Sequence, residues 1–231
     1  MPTLQLLNNF IAVRTLSVNF TVMKPDKPEI TDLEDPCRYR EVLRLPYEDI
    51  VTFVLDYIKR RTGLMLTFWA FCLIFAGTAL NIRINIASYF PFRSILCHSA
   101  LGFIIFPLLV IPLHELLHVI SFLLTGARKI RVGMDLKQYI FYVTSHRHVV
   151  NRKQFLLVGL MPFVLISILT ILLIFILPGL WKWSLSVFLF VHSTMCAGDF
   201  AMLNFFHINR NKNLFTWDDA DAKMAYFYEE I

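Results

Sequence analysis

Charged side chains are scarce in this sequence, making up 17% of its 231 residues, while hydrophobic side chains make up 57%. In soluble domains the charged share is about 25%, so the composition excludes an ordinary water-soluble globular protein. The apolar residues are grouped in blocks, each near the ~20 residues that a helix needs to cross a hydrocarbon core. The composition therefore predicts a membrane protein.

The sequence lacks two further features. The four cysteines, Cys37, Cys72, Cys97 and Cys196, have no paired spacing of the kind that binds metal. We interpret them as packing residues, because a buried free cysteine behaves as a small hydrophobe. A cleavable signal peptide is not evident either, since polar residues interrupt the first apolar stretch, residues 4–22. The first membrane span is therefore expected to direct insertion.

Four apolar blocks predict four transmembrane helices, at about residues 64–86, 97–125, 154–178 and 181–206. The predicted fold class is an all-α membrane protein with a small cytoplasmic N-terminal head. The predicted domains are an N-terminal segment (1–62) ending in an amphipathic lead-in helix, a four-helix transmembrane domain (63–206) and a cytoplasmic tail (207–231).

Basic residues concentrate on one side of these spans. Lys59, Arg60 and Arg61 precede the first span, and the loop between spans two and three holds seven basic residues against one acid, Asp135. By the positive-inside tendency, this loop and both termini are predicted to face the cytoplasm. Orientation and contact with anionic lipid then explain the net charge of +5, which does not indicate nucleic-acid binding.

The same loop has two stretches, 130–136 and 139–143, in which apolar residues occupy alternate positions. A period of two is typical of strands, so the loop is predicted to contain a β-hairpin. An exposed strand edge can capture an extended peptide by strand addition, which makes the hairpin a candidate for binding substrate. A similar alternation at residues 16–22 predicts a strand in the N-terminal segment.

The motif HELLH occupies residues 114–118, inside the second predicted span. His114 and His118 are four residues apart, which on a helix leaves them ~40° apart around the axis and ~6 Å apart along it. Two imidazoles in this arrangement can bind one metal ion. Glu115 lies beside them, where its carboxylate can take a proton from water as a general base. The motif predicts a hydrolytic zinc site.

Acidic residues at bilayer depth are costly and normally functional, and the predicted spans contain two, Glu115 and Asp199. Hydrolytic zinc takes three protein ligands and keeps one position open for water. At ~1.5 Å per residue, the two histidines and Asp199 lie at similar depths, ~13 and ~10 Å from the cytoplasmic ends of their spans. Asp199 is therefore the predicted third ligand.

Other polar or irregular positions in the spans have less defined roles. Pro112, just before the motif, predicts a kink or break in span two. His192 lies seven residues before Asp199; it either supports the site or is a structural residue that hydrogen-bonds to a neighbouring helix. For Asn204 and His207, near the end of the last span, we expect structural roles.

With HELLH at 114–118 and Gly198-Asp199 in antiparallel spans, the chain resembles a bacterial family of small integral membrane proteins of unknown function that is classed among the zincin peptidases. More distantly it resembles the site-2 proteases, which are intramembrane zinc enzymes. The likeness covers most of residues 45–206, including Met161-Pro162-Phe163 in the third span.

This resemblance implies that His114, His118 and Asp199 bind zinc, that Glu115 is the base, and that the protein lies in the bacterial cytoplasmic membrane. The chain departs from the site-2 proteases at residues 198–200, which read Gly-Asp-Phe where those enzymes usually carry a Leu-Asp-Gly-type segment. The sequence also shows no inserted peptide-binding domain.

The sequence therefore predicts a membrane-embedded zinc metalloprotease that hydrolyses membrane or membrane-proximal substrates near the cytoplasmic leaflet. Two other functions fit the same residues. A proton- or metal-coupled transporter also places ionisable residues in the bilayer, although four spans without a visible repeat are a poor basis for transport. A catalytically inactive relative that acts as a membrane binding protein is the other alternative.

Overall fold

The computed structural model describes residues 16–17, 27–135 and 140–231. Of the strand predicted at residues 16–22, only the first two residues lie within this part of the chain. In chain order the elements are β1 (Leu16–Ser17), α1 (Ile30–Leu33), β2 (Tyr39–Pro46), α2 (Ile50–Ile58), α3 (Gly63–Ile86), α4 (Phe92–Ala100), α5 (Phe106–Leu124), β3 (Lys129–Asp135), β4 (Ile140–Ser145), β5 (Val150–Asn151), α6 (Arg152–Ile176), α7 (Leu180–Met195), α8 (Ala197–Ile208), β6 (Leu214–Asp219) and β7 (Met224–Glu230).

The chain forms two compact units. One, called here the helical unit, comprises Phe53–Leu117 and Leu157–Ile208. The other, called the sheet unit, comprises Met1–Thr52, His118–Leu156 and Asn209–Ile231.

The long apolar helices match the predicted spans in position. α3, the continuous helix Phe92–Leu124 and α6 are each long and apolar enough to cross a membrane. α7 and α8, which are bent by 44° relative to each other, make a fourth candidate if the pair is one span. By length and composition, three to four helices therefore indicate a membrane protein.

A polar network fixes the start of α3 in the helical unit. Thr62 caps α3, because its hydroxyl oxygen accepts from the backbone N–H of Met65 at 3.2 Å. The same hydroxyl donates to Oδ1 of Asn204 at 2.6 Å, and Nδ2 of Asn204 donates to the carbonyl of Tyr57 at 2.8 Å. Asn204, in α8, therefore has a structural role, as the sequence suggested.

Span two is not broken at the HELLH motif. The helix continues from Phe92 to Leu124, with Pro112 inside α5. Its irregular stretch is a π-helical turn at Leu101–Ile105, just before Pro107. A π turn is one of the ways in which a helix absorbs a local disruption of its hydrogen-bond ladder. Of the kink or break predicted at Pro112, the break is therefore wrong and the kink stays a prediction. A break is found instead at Cys196, between α7 and α8.

The π turn packs directly on α7 through Gly102. A Cβ atom on Gly102 would lie 2.5 Å from the carbonyl oxygen of Ser184 and 2.8 Å from Cβ of Val187. Neither of these atoms is at the end of a flexible side chain, so the two helices would have to separate. The absence of a side chain at Gly102 is what permits this close approach.

We expect Gly102→Ala to lower the free energy of unfolding by about 1–3 kcal/mol, the usual cost of overpacking. Thermal unfolding of the detergent-solubilised protein measures the effect. Gly77→Ala in α3 is the matched control, because a Cβ there would have no neighbour within 4 Å. A Gly102→Ala protein as stable as the Gly77→Ala protein would contradict the close packing of the π turn.

Two antiparallel sheets make up the sheet unit, with strand orders β1-β3-β4 and β2-β7-β6-β5. β3 and β4 pair along their length, which confirms the hairpin predicted between spans two and three. Within the described residues the fold is mostly helical with some antiparallel strands, rather than all-α. The four-stranded sheet is the element that the sequence analysis missed.

The tail supplies two strands of this missed sheet. In β6, the four residues Leu214 to Trp217 are all buried, so the strand lacks the alternation of buried and exposed positions that marks a half-exposed strand. The buried core on one side of the sheet combines residues distant in the sequence: Leu33, Tyr39, Val149, Phe215, Trp217 and Tyr228. The strands of this sheet therefore depend on pairing between distant segments, and composition alone does not show which segments pair.

Two of the four cysteines do not pack in a core. Cys72 and Cys196 are buried, as expected, whereas Cys37 and Cys97 are exposed. Cys37 lies in the turn before β2 and Cys97 lies on an outward position of α4. The packing interpretation is therefore wrong for these two residues.

A partly buried polar cluster in the sheet unit surrounds His148 and lowers its pKa. Nζ of Lys27 donates to the carbonyls of Thr125 and Val149 at 3.1 and 3.4 Å, and Nε2 of His148 lies 3.3 Å from the hydroxyl of Thr125. Burial, and then the positive charge of Lys27, lower the pKa of His148 from 6.5 to about 4. The folded protein therefore favours the neutral imidazole.

Because the pKa of His148 is lower in the folded protein than in the unfolded chain, its contribution to stability is complete above pH 6.5 and is lost as the pH falls toward 4. We expect the free energy of unfolding to fall by at most about 3 kcal/mol over this pH window because of His148. Thermal unfolding measured between pH 7 and 4.5 tests it. His148→Gln should show a flatter pH dependence than the wild type, and an unchanged slope would count against this assignment.

Candidate metal centre

α5 carries a polar stripe that faces the protein interior. His114, His118 and Ser121 are 8%, 8% and 0% exposed, whereas Leu113 and Leu116 are exposed. The three polar residues share one face because they are three or four positions apart. Polar residues turned inward and leucines turned outward are the arrangement expected of a helix surrounded by lipid. The motif therefore presents both histidines to the interior.

His114 meets Asp199 within the helical unit. Nε2 of His114 lies 3.4 Å from Oδ2 of Asp199, which is in the first turn of α8. Charge-assisted N–H···O bonds are shorter, about 2.7–2.9 Å. Two ligands bonded to one tetrahedral zinc ion at about 2.0–2.1 Å are roughly 3.4 Å apart. The separation therefore matches the spacing of two ligands of one metal ion.

His118 follows His114 by one helical turn. A ring nitrogen of His118 lies within 4.8 Å of a ring nitrogen of His114, which a spacing of four on an unbroken helix permits. Glu115, between them in sequence, is partly buried. His114 is therefore close to both of the other predicted ligands, while the roles of these residues as ligands and base stay predictions.

The second nitrogen of His114 faces another histidine. Nδ1 of His114 lies 3.5 Å from Nε2 of His192, and the two ring centroids are 5.7 Å apart at an interplanar angle of 66°. His192 is completely buried. The Cys196 thiol lies 3.8 Å from the same Nε2 atom. His114, His192 and Cys196 thus form a second group whose ligand atoms lie within 4.8 Å of one another.

Sequence reasoning left the role of His192 open and treated Cys196 as packing. It assumed a straight fourth span, in which His192 lies ~10 Å from Asp199 along the axis. The bend at Cys196 separates α7 from α8, and both His192 and Asp199 reach His114. Small residues at 197–198 follow Cys196, but the composition of the segment does not specify a bend of 44°.

The sheet unit contains a further group of potential ligands, His146, Asp219 and Asp221. Arg147 lies 3.2 Å from Asp219, and Arg131 lies 3.5 Å from Asp221, so both carboxylates have cationic partners. The backbone N–H of residue 220 donates to Nδ1 of His146 at 3.2 Å, which occupies that nitrogen. We interpret this group as an ion-pair network rather than a metal site.

The long apolar helices and the pair of His114 and Asp199 define a class of protein: a mostly helical membrane protein with a candidate metal centre built on the HELLH motif. Residues 107–213, a little under half of the chain, match a family model described as "Putative zincin peptidase". The matched segment contains the motif and Asp199, and the match confirms the family resemblance drawn from the sequence. No curated protein and no solved structure matches the chain.

Proposed function

We propose that this chain is a membrane-embedded zinc metalloprotease of the bacterial cytoplasmic membrane, with both termini in the cytoplasm. The observation that carries the proposal is the 3.4 Å separation between Nε2 of His114 and Oδ2 of Asp199, beside an HExxH motif. The match to a zincin peptidase model supports the same reaction class. The loop rich in basic residues supports the proposed orientation.

The proposed zinc ligands are His114, His118 and Asp199. Two histidines and one carboxylate are a donor set that hydrolytic zinc uses, with the fourth position left for water. Ligand atoms of His118 and of Asp199 each lie within 4.8 Å of a ligand atom of His114. The burial of both histidines would keep the site isolated from lipid and bulk solvent. The residues present therefore fit zinc.

The proposed reaction is hydrolysis of an amide bond. Zinc, when bound, supplies a Lewis acid that polarises the carbonyl and makes water a stronger nucleophile. Glu115 accepts a proton as the water oxygen adds to the carbonyl carbon, and it delivers that proton to the amine nitrogen as the C–N bond breaks. His114, His118 and Asp199 would hold the zinc ion.

The proposed substrates are membrane helices or peptides close to the bilayer, cut near the cytoplasmic leaflet. A helical substrate shields its own backbone, so it has to unwind before cleavage. β4 is one of the two outer strands of its sheet, and the residue after it, His146, forms a bridge with Asp218. An outer strand can pair with an extended peptide along the part of its edge that has no neighbour. We propose β4 as a binding element for the unwound segment.

Metal analysis of the purified protein tests the zinc site. We expect about one zinc per chain, as a single three-ligand site requires, and loss of that zinc in His118→Ala. His207→Ala is the matched control, since His207 lies outside the site, and it should retain zinc. Metal that is held loosely and exchanges freely in the wild type would instead favour transport.

A further inference from the structure

His192 is a buried histidine with an unusual hydrogen-bonding environment. It is 0% exposed, and within the described part of the chain its Nδ1 atom has no hydrogen-bond partner. A buried nitrogen without a partner costs free energy. An apolar side chain would fill the same space in α7 without this cost. The position of His192 therefore points to a task performed by its other nitrogen.

That other nitrogen, Nε2, faces Nδ1 of His114 at 3.5 Å. If Nε2 of His114 binds metal, its lone pair must be free, so the ring proton must be on Nδ1. Nε2 of His192 is an acceptor in the right place for that proton. Metal-binding histidines usually donate their second N–H to such an acceptor, which fixes the tautomer and the ring orientation.

We propose that His192 is a positioning residue for the metal centre, accepting the Nδ1 proton of His114 so that Nε2 of His114 is held toward Asp199. The proposal rests on the function proposed above, because it assumes that His114 binds zinc. The acceptor of a ligand's second N–H is more often a carboxylate or a backbone carbonyl than an imidazole. The neutral imidazole of His192 adds no negative charge, which suits a site in lipid.

The neighbouring Cys196 allows a competing arrangement. Its thiol lies 3.8 Å from Nε2 of His192, and His114, His192 and Cys196 could together bind a soft metal ion. This arrangement would use Nδ1 of His114, the nitrogen that our proposal requires to be protonated. The two arrangements are therefore exclusive for a single metal, and a thiolate ligand distinguishes them.

The test uses the full-length protein in detergent, with zinc affinity measured by competition against a chromophoric chelator. His192→Leu removes the acceptor, and we expect it to bind zinc about 10–100-fold more weakly, the usual effect of losing an outer partner of a ligand. His192→Gln offers an amide oxygen as acceptor and should bind zinc nearly as well as the wild type. His98→Leu is the control, since His98 pairs with Ser184 instead.

Cobalt substitution provides a second readout that loss of packing would not mimic. We expect the d–d absorption bands of the cobalt protein to shift in His192→Leu and to return toward the wild-type position in His192→Gln. No thiolate-to-cobalt charge-transfer band should appear, and Cys196→Ser should leave both affinity and spectrum unchanged. Thermal unfolding of the metal-free variants checks that each protein is folded.

Three results would overturn the proposal: unchanged zinc affinity in His192→Leu, equal weakening in His192→Leu and His192→Gln, or a charge-transfer band that Cys196→Ser abolishes. In the first two cases the wild type still binds zinc, so the proposed function survives. In the third case the metal would lie among His114, His192 and Cys196, which would contradict the proposed ligand set as well. A wild type that binds no zinc at all would instead contradict the proposed function, and the role of His192 with it.

Discussion

Glu115→Gln is expected to abolish proteolysis while zinc stays bound. Glutamine has nearly the shape of glutamate but cannot accept the proton that the attacking water releases. General acid–base catalysis contributes about 10²–10⁴-fold to a rate, so the cleavage rate should fall by at least that range. The two measurements are cleavage of labelled transmembrane peptides in liposomes, followed by mass spectrometry, and zinc content of the same protein sample.

Glu34→Gln is the matched control for this experiment, because Glu34 is exposed and lies in the sheet unit, outside the HELLH motif. It should cleave at the wild-type rate. A Glu115→Gln protein that retains full activity would refute the assignment of Glu115 as base. A Glu115→Gln protein that loses zinc as well would show that Glu115 supports metal binding, and the assigned role would then be wrong too.

The membrane helices and the chemical motif were accessible to sequence reasoning because both depend on local patterns. A span is defined by a run of apolar residues, and three predicted blocks match α3, Phe92–Leu124 and α6. The fourth block matches the pair α7–α8 if that bent pair is one span. HELLH is defined by a spacing of four on one helix. Neither inference requires knowledge of which distant segments pack together.

The features that were missed depend on such distant contacts. The four-stranded sheet joins β2 to the tail strands, over 180 residues later in the case of Arg40 and Glu229. His192 and Asp199 lie on either side of the bend at Cys196 and both contact His114. The sequence at this bend contains no proline or repeat that would predict it. The depth argument still predicted that Asp199 lies close to His114, because the axial rise along a helix survives a local bend. The role of Asp199 as a zinc ligand stays a prediction.

Asp199→Asn is expected to remove tight zinc binding. Its carboxylate oxygen is 3.4 Å from Nε2 of His114, and the neutral amide oxygen of asparagine is a much weaker ligand for zinc. Loss of an outer partner weakens metal binding about 10–100-fold. Loss of a direct ligand should exceed that range, so Asp199→Asn should bind zinc more weakly than His192→Leu.

Asp56→Asn is the control for the same substitution at an exposed site on α2, and it should keep the wild-type affinity. Competition with a chelator ranks the zinc affinities of Asp199→Asn, His192→Leu and Asp56→Asn on one scale. Asp199 lies in the first turn of α8, where its negative charge also stabilises the helix, so a modest loss of thermal stability is expected as well. Zinc affinity in Asp199→Asn equal to that of Asp56→Asn would mean that the two histidines find their third ligand elsewhere, and the metal centre proposed here would have to be abandoned.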